Sequence, residues 1–166
     1  MRRTAAPLLL TLVAGIAVAS PDPCALVKPS DLQAITAGAS VGPGELTKQP
    51  EIGTVICSYH WGPGGNAASG RFNLHVTVSE GSKVFPGLDS QTIRQGLLDM
   101  TKQPGANAVA VPGVGDAAIF ESAAPIRANT TAYVKGMVLK VDLDGPEGRT
   151  KKDQVIALLK ALAVRL

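Results

Sequence analysis

Two cysteines, Cys24 and Cys57, follow a leader of export type. In an exported chain two cysteines pair more often than not, because the compartment beyond the cytoplasm is oxidising. A Cys24–Cys57 bridge ties an N-terminal arm to the first strand and closes a loop of about 34 residues, worth about 3.5–4 kcal/mol in the chain-entropy model. Domain stabilities are of order 5–15 kcal/mol, so this staple restricts the fold more than any other single feature. The opposing reading, two separate thiols, leaves the arm untethered.

The leader has the three parts of a signal peptide over residues 1–19. Arg2 and Arg3 are its positive end, an uncharged run rich in Leu, Val and Ala follows, and Ala17-Val18-Ala19 is an A-x-A site that predicts cleavage before Ser20. A membrane anchor needs about 20 apolar residues; this run is shorter and is bounded by Pro7, Pro21 and Pro23. Lipidation at Cys24 fits poorly, because Pro21-Asp22-Pro23 replaces the small and aliphatic residues of a lipobox. Residues 20–166 are expected to form a single secreted domain, long enough to bury its own core. The full chain holds 16 basic and 13 acidic side chains, hence +3; without Arg2 and Arg3 the balance is 14 minus 13, or +1. Net charge therefore offers no case for a nucleic-acid partner.

Pro29 and Ser30 open a first helix, with Ser30 and Gln33 spaced as a capping box, Leu32 and Ile35 inward, and Gly38 near its end. Residues 41–53 read as a loop. Residues 54–61 and 71–79 alternate as strands, with Val55, Cys57, Tyr59 and Trp61 on one face of the first and Phe72, Leu74, Val76 and Val78 on one face of the second. They pair as a hairpin around the Gly-rich segment 62–70. Asp89 or Ser90 caps a helix reaching about Thr101, with Ile93, Leu97, Leu98 and Met100 on its apolar side. Residues 108–111 and 117–121 read as strands around a Pro-Gly-Val-Gly turn, 122–131 as a loop and 132–143 as one further strand. Thr150 caps a last helix, with Asp153 three residues on and Val155, Leu158, Leu159, Leu162 and Leu166 as its stripe. The order α-β-β-α-β-β-α predicts an α+β fold, a mostly antiparallel sheet packed with helices as an α/β sandwich.

Few motifs carry chemistry. The glycines of 109–118 resemble a dinucleotide fingerprint, but no helix pattern follows them, so a tight turn accounts for both. Asp142-Leu143-Asp144-Gly145 lacks the spacing of a calcium loop. Asn129-Thr130-Thr131 fits a glycosylation sequon. With Tyr59 opposite Leu74, His60 and His75 lie a diagonal apart on the non-core face, without a carboxylate on the adjacent positions to complete a metal site. No nucleophile elbow is present, and paired cysteines are not nucleophiles. Trp61 and Arg71, at the two ends of the Gly-rich loop, together with His60 and His75, are the candidate ligand-binding residues. Against this, Tyr59 and Trp61 also fit the hydrophobic core.

Asp22-Pro23-Cys24-Ala25-Leu26, then Cys57-Ser58-Tyr59-His60-Trp61, then Val111-Pro112-Gly113-Val114-Gly115-Asp116-Ala117-Ala118 and Val134-Lys135-Gly136 together form a pattern. It is similar to a group of actinobacterial exported proteins and lipoproteins of unknown function, and the likeness covers nearly all of the chain after the leader. The resemblance implies a secreted or envelope-associated domain with the same disulfide, and carries over no catalytic residues. Many members have a lipobox cysteine ahead of the Asp-Pro-Cys segment; this chain does not, so a lipid anchor is not expected. The element order also resembles the α/β sandwich of photosystem-subunit-P-like proteins, a likeness of fold alone.

The expectation is a non-catalytic extracytoplasmic domain that binds a small molecule, a lipid or an envelope component, without cofactor, metal or nucleic acid and with no membrane span after cleavage. A module docking on a protein partner is the alternative, and an unrecognised enzyme the more distant one. A ligand binder calls for a concave pocket, a docking module for an exposed patch, an enzyme for converging polar groups of perturbed pKa.

Overall fold

The computed structural model describes residues 20–63, 70–146 and 148–166. Residues 1–19, where a leader is expected, residues 64–69 of the Gly-rich segment expected to join two strands, and Glu147 lie outside the described residues. Among the described residues the strands form one antiparallel sheet in the order β1-β2-β3-β7-β6-β5-β4. These are β1 (Glu45–Gln49), β2 (Thr54–Trp61), β3 (Phe72–Glu80), β4 (Ala108–Ala110), β5 (Ala117–Ala124), β6 (Arg127–Val134) and β7 (Met137–Asp144). Two local ladders, β1-β2-β3 and β4-β5-β6-β7, are joined where β3 meets β7, with Leu74 opposite Leu143, Val76 opposite Val141 and Val78 opposite Leu139. Apolar residues at every second position on both central strands make this seam.

One face of the sheet carries the main core. Leu74, Val76, Val78, Leu139, Val141 and Leu143 are wholly buried, and Val155, Leu158, Leu159 and Leu162 cover them. The latter four lie on one stripe of α5 (Lys152–Arg165). Val27, just after the short helix α1 (Pro23–Leu26), and Ile35 of α2 (Pro29–Thr36) join the same core. Cys24 on α1 and Cys57 on β2 form the expected disulfide, with Cα atoms 5.2 Å apart. On the opposite face lie α3 (Gly81–Val84) and α4 (Ser90–Met100). Ile93 and Leu97 of α4 form a second cluster with Ala117, Ile119 and Tyr133. The α+β sandwich is as expected, and so is the hairpin register, with Tyr59 opposite Leu74.

The element count is not. Within 41–53, residues Glu45–Gln49 form β1, exposed along its whole length. An edge strand with neither face buried has no alternation to betray it. The stretch 122–143 is two strands rather than a loop and one strand. β5 extends to Ala124, Pro125 and Ile126 turn the chain, and β6 runs back along it. Lys135 and Gly136 then turn the chain into β7, both with positive φ, 50° and 83°. That is the conformation of a two-residue primed turn, and Lys-Gly lacks the Asn or Asp that usually announces one. Asp31, rather than Ser30 with Gln33, caps α2: its Oδ2 accepts the Lys28 N–H at 2.8 Å. A 3-10 turn, Gly148–Lys151, holds Thr150, and α5 begins at Lys152. The sequon falls inside β6, where Asn129 and Thr130 are buried.

Candidate functional site

Helix α4 covers only the β5–β6 end of the second sheet face. Over β2, β3, β7 and the start of β6 that face holds polar side chains. Strand periodicity puts them there: Ser58 and His60 alternate with core residues on β2, Asn73, His75 and Thr77 on β3, and Lys140, Asp142 and Asp144 on β7. The cross-strand register aligns them in rows. Ser58 is opposite His75, and His75 is opposite Asp142; one step along, His60 is opposite Asn73, Asn73 opposite Asp144, and Asp144 opposite Arg127. Ile56, His75, Thr77, Arg127, Lys140, Asp142 and Asp144 line an open depression of about 390 Å³.

The side chains are tied to one another. His75 Nδ1 is 2.9 Å from Ser58 Oγ, and His60 Nδ1 is 2.8 Å from Asn73 Oδ1. The two imidazoles meet edge to face, with ring centroids 6.2 Å apart. Arg127 grips Asp144 with two nitrogens, Nε to Oδ1 at 2.5 Å and Nη2 to Oδ2 at 3.2 Å. Lys140 Nζ is 3.2 Å from Asp142 Oδ2. Burial pushes the pKa of His75 down and the neighbouring His60 adds to the effect, while Asp142 and Asp144 oppose it by less. The His75 ring is thereby biased towards its neutral form.

Of the candidate residues read from sequence, the fold brings His60 and His75 together and separates Trp61 from them. Trp61 lies on the core face, 7% exposed, stacked on Phe72 at 5.1 Å with the planes 7° apart. The alternation that buries Tyr59 also buries Trp61, so its ring is core and is not offered to a ligand. Arg71 sits half-buried just before β3. Carboxylates do face the histidines, contrary to expectation: Asp142 and Asp144 arrive from β7, a strand distant in sequence. Their alternation with Leu143 marked them as outward, but the β3–β7 pairing that aims them at His75 is non-local. Even so, no group of three or more His, Cys, Asp or Glu is arranged to hold a metal ion among the described residues.

The Pro112–Asp116 segment is the turn expected: Gly113 and Gly115 have φ of 75° and 54°, and β5 rather than a helix follows. Among the described residues no helix is long and apolar enough to cross a membrane. Comparison with protein-family models, with curated proteins and with solved structures finds no match to this chain.

Proposed function

We propose that this chain is a non-catalytic binding module, exported by its leader to the actinobacterial envelope or the medium beyond, which engages an envelope component on the open polar half of its sheet. One observation carries the reading. Imidazole, carboxylate, guanidinium, ammonium, hydroxyl and amide groups share the half of a sheet face that α4 leaves open, whereas the other face is filled by α5 and the apolar residues beneath it. A wide, shallow surface with both charge signs suits a hydrogen-bonding polymer, a glycan or a polar peptide of the wall, better than a lipid chain. The disulfide fits an oxidising compartment. The Ser58–His75–Asp142 row argues for binding rather than acyl transfer. Asp142 pairs with Lys140 instead of the His75 ring, and backbone N–H groups within a sheet are spent on the ladder, leaving no donor pair for an oxyanion.

The test is co-sedimentation of the purified protein with isolated actinobacterial cell walls. The comparison is a folded face variant, Arg127→Ala combined with Asp142→Ala. Wall association by the wild type, with at least a tenfold loss in the variant, supports the reading. Equal association by both, or none by either, refutes it.

A further inference from the structure

We propose that the outer edge of β1 is a pairing surface for a second copy of this chain, the two β1 strands joining antiparallel about a two-fold axis at Leu46. β1 ends the sheet, and among the described residues nothing covers it: all five of its residues are exposed. Its free backbone groups follow from the ladder. Glu80 donates its N–H to the Gly53 carbonyl at 3.0 Å, so the odd-numbered residues of β2 turn their backbone groups to β3 and the even-numbered ones to β1. Opposite the latter stand Glu45, Thr47 and Gln49, which spend their N–H and C=O groups on β2. Leu46 and Lys48 therefore point theirs outward, and Gly44 is next in the alternation. An edge strand with unpaired N–H and C=O groups is a template for another strand.

The sequence around this edge selects the partner. The outward groups at Gly44, Leu46 and Lys48 are symmetric about Leu46, and Pro43 and Pro50 bound the stretch. Antiparallel self-pairing sets Leu46 opposite Leu46 of the second copy, and Gly44 opposite Lys48 in both directions. Each such pair exchanges N–H···O=C bonds, and no proline interrupts them. Leu46, 41% exposed, gains an apolar neighbour. Lys48, the charge that would guard such an edge, meets a glycine without a side chain rather than another cation. β1 lacks the other protections: its register with β2 is unbroken from Glu45 to Gln49, with no bulge and no internal proline. The opposite edge strand, β4, is guarded by its length of three residues. A two-fold axis normal to the sheet leaves both open polar faces on the same side. On the envelope reading, two wall-binding faces then form one surface, which raises avidity for a polymer; the pairing itself does not depend on that reading.

The experiment is sedimentation velocity of the purified protein from about 1 μM to about 1 mM, with hydrogen exchange read amide by amide at both ends of that range. The expected result is a reversible monomer–dimer equilibrium, weak because the interface is small. On dimerisation the Leu46 and Lys48 amides should slow about tenfold, while those of Glu45, Thr47 and Gln49, already bonded to β2, change little. Leu46→Pro removes an N–H that the monomer does not use, and Leu46→Lys sets two cations opposite each other at the axis. Each should weaken dimerisation at least tenfold, with the monomer's melting temperature close to that of the wild type. A monomer at every concentration would overturn the proposal. So would a dimer whose Leu46 and Lys48 amides exchange no more slowly than in the monomer, or one that Leu46→Lys leaves unchanged. None of these readouts uses wall material, so this pairing and the envelope reading fail separately.

Discussion

Arg165, one residue from the end of the chain, clamps Asp31 near its start: Nη1 donates to Oδ2 at 2.5 Å and Nη2 to Oδ1 at 3.1 Å. The same Nη1 also donates to the Leu26 carbonyl at 2.7 Å. The last helix is thereby locked to α1 and α2 beside the disulfide that holds α1 to the sheet. The two side chains are 23% and 12% exposed, so solvent screens the pair only in part. Arg165→Ala should destabilise the fold by roughly 1–2 kcal/mol, the lower range for charge-assisted hydrogen bonds with partial solvation. Urea unfolding with an unchanged m-value measures it; a loss below about 0.3 kcal/mol would mean that the clamp is ornamental.

The same contact sets a pH dependence. The hydrogen bond from Arg165 holds the Asp31 pKa below the ordinary carboxylate value, aided by the Lys28 N–H and opposed by burial. A carboxylate with a depressed folded pKa adds stability that is complete above its unfolded value, about 3.9, and is lost as pH falls through the folded one. The difference in melting temperature between wild type and Asp31→Asn should be constant from pH 7 to about pH 5 and close below about pH 4. A gap that persists at pH 2 would place its origin in packing.

The Cys24–Cys57 bridge spans a sequence separation of 33. Opening it with Cys24→Ser and Cys57→Ala should cost about 3–4 kcal/mol and lower the melting temperature by roughly 10–15 °C. Scanning calorimetry measures the drop. Thiol labelling of the denatured, unreduced wild type should find no free cysteine, and two reactive thiols would remove the staple from the account.

Gly145 lies directly against Phe72: a Cβ there would sit 2.2 Å from Phe72 Cδ1. Gly145→Ala must therefore displace the ring that stacks on Trp61, at a cost of about 1–3 kcal/mol for overpacking. Phe72→Leu in the same chain should recover part of that cost. Additive losses across the double-mutant cycle would show the two positions to be uncoupled.

Lys135 occupies the left-handed region at φ 50° in the β6–β7 turn. Lys135→Asn supplies the residue that such a turn favours and should raise stability by about 0.5–1 kcal/mol. A fall in the urea midpoint would contradict the turn assignment.

Wherever burial repeats along the chain, the fold was readable in advance. Alternation on β2 and β3 determined their faces and their register, the stripe from Val155 to Leu162 determined α5, and the presence of just two cysteines determined which residues form the staple. What escaped had no periodic burial. β1 is exposed on both faces, and the Lys135–Gly136 turn lies inside an apolar run that continues through it. The site divides in the same way. The sequence placed His60 and His75 on one non-core face, because side chains on a strand alternate. It could not bring Asp142 and Asp144 to them, since the pairing of β3 with β7 depends on apolar contacts between residues far apart in the chain. Nor could it choose between core and ligand for Trp61, because an aromatic ring at a strand end serves either purpose until the opposite helix packs. Local periodicity decided which side chains face the same way, and only tertiary packing decided which strands became neighbours and which of the two faces stayed open.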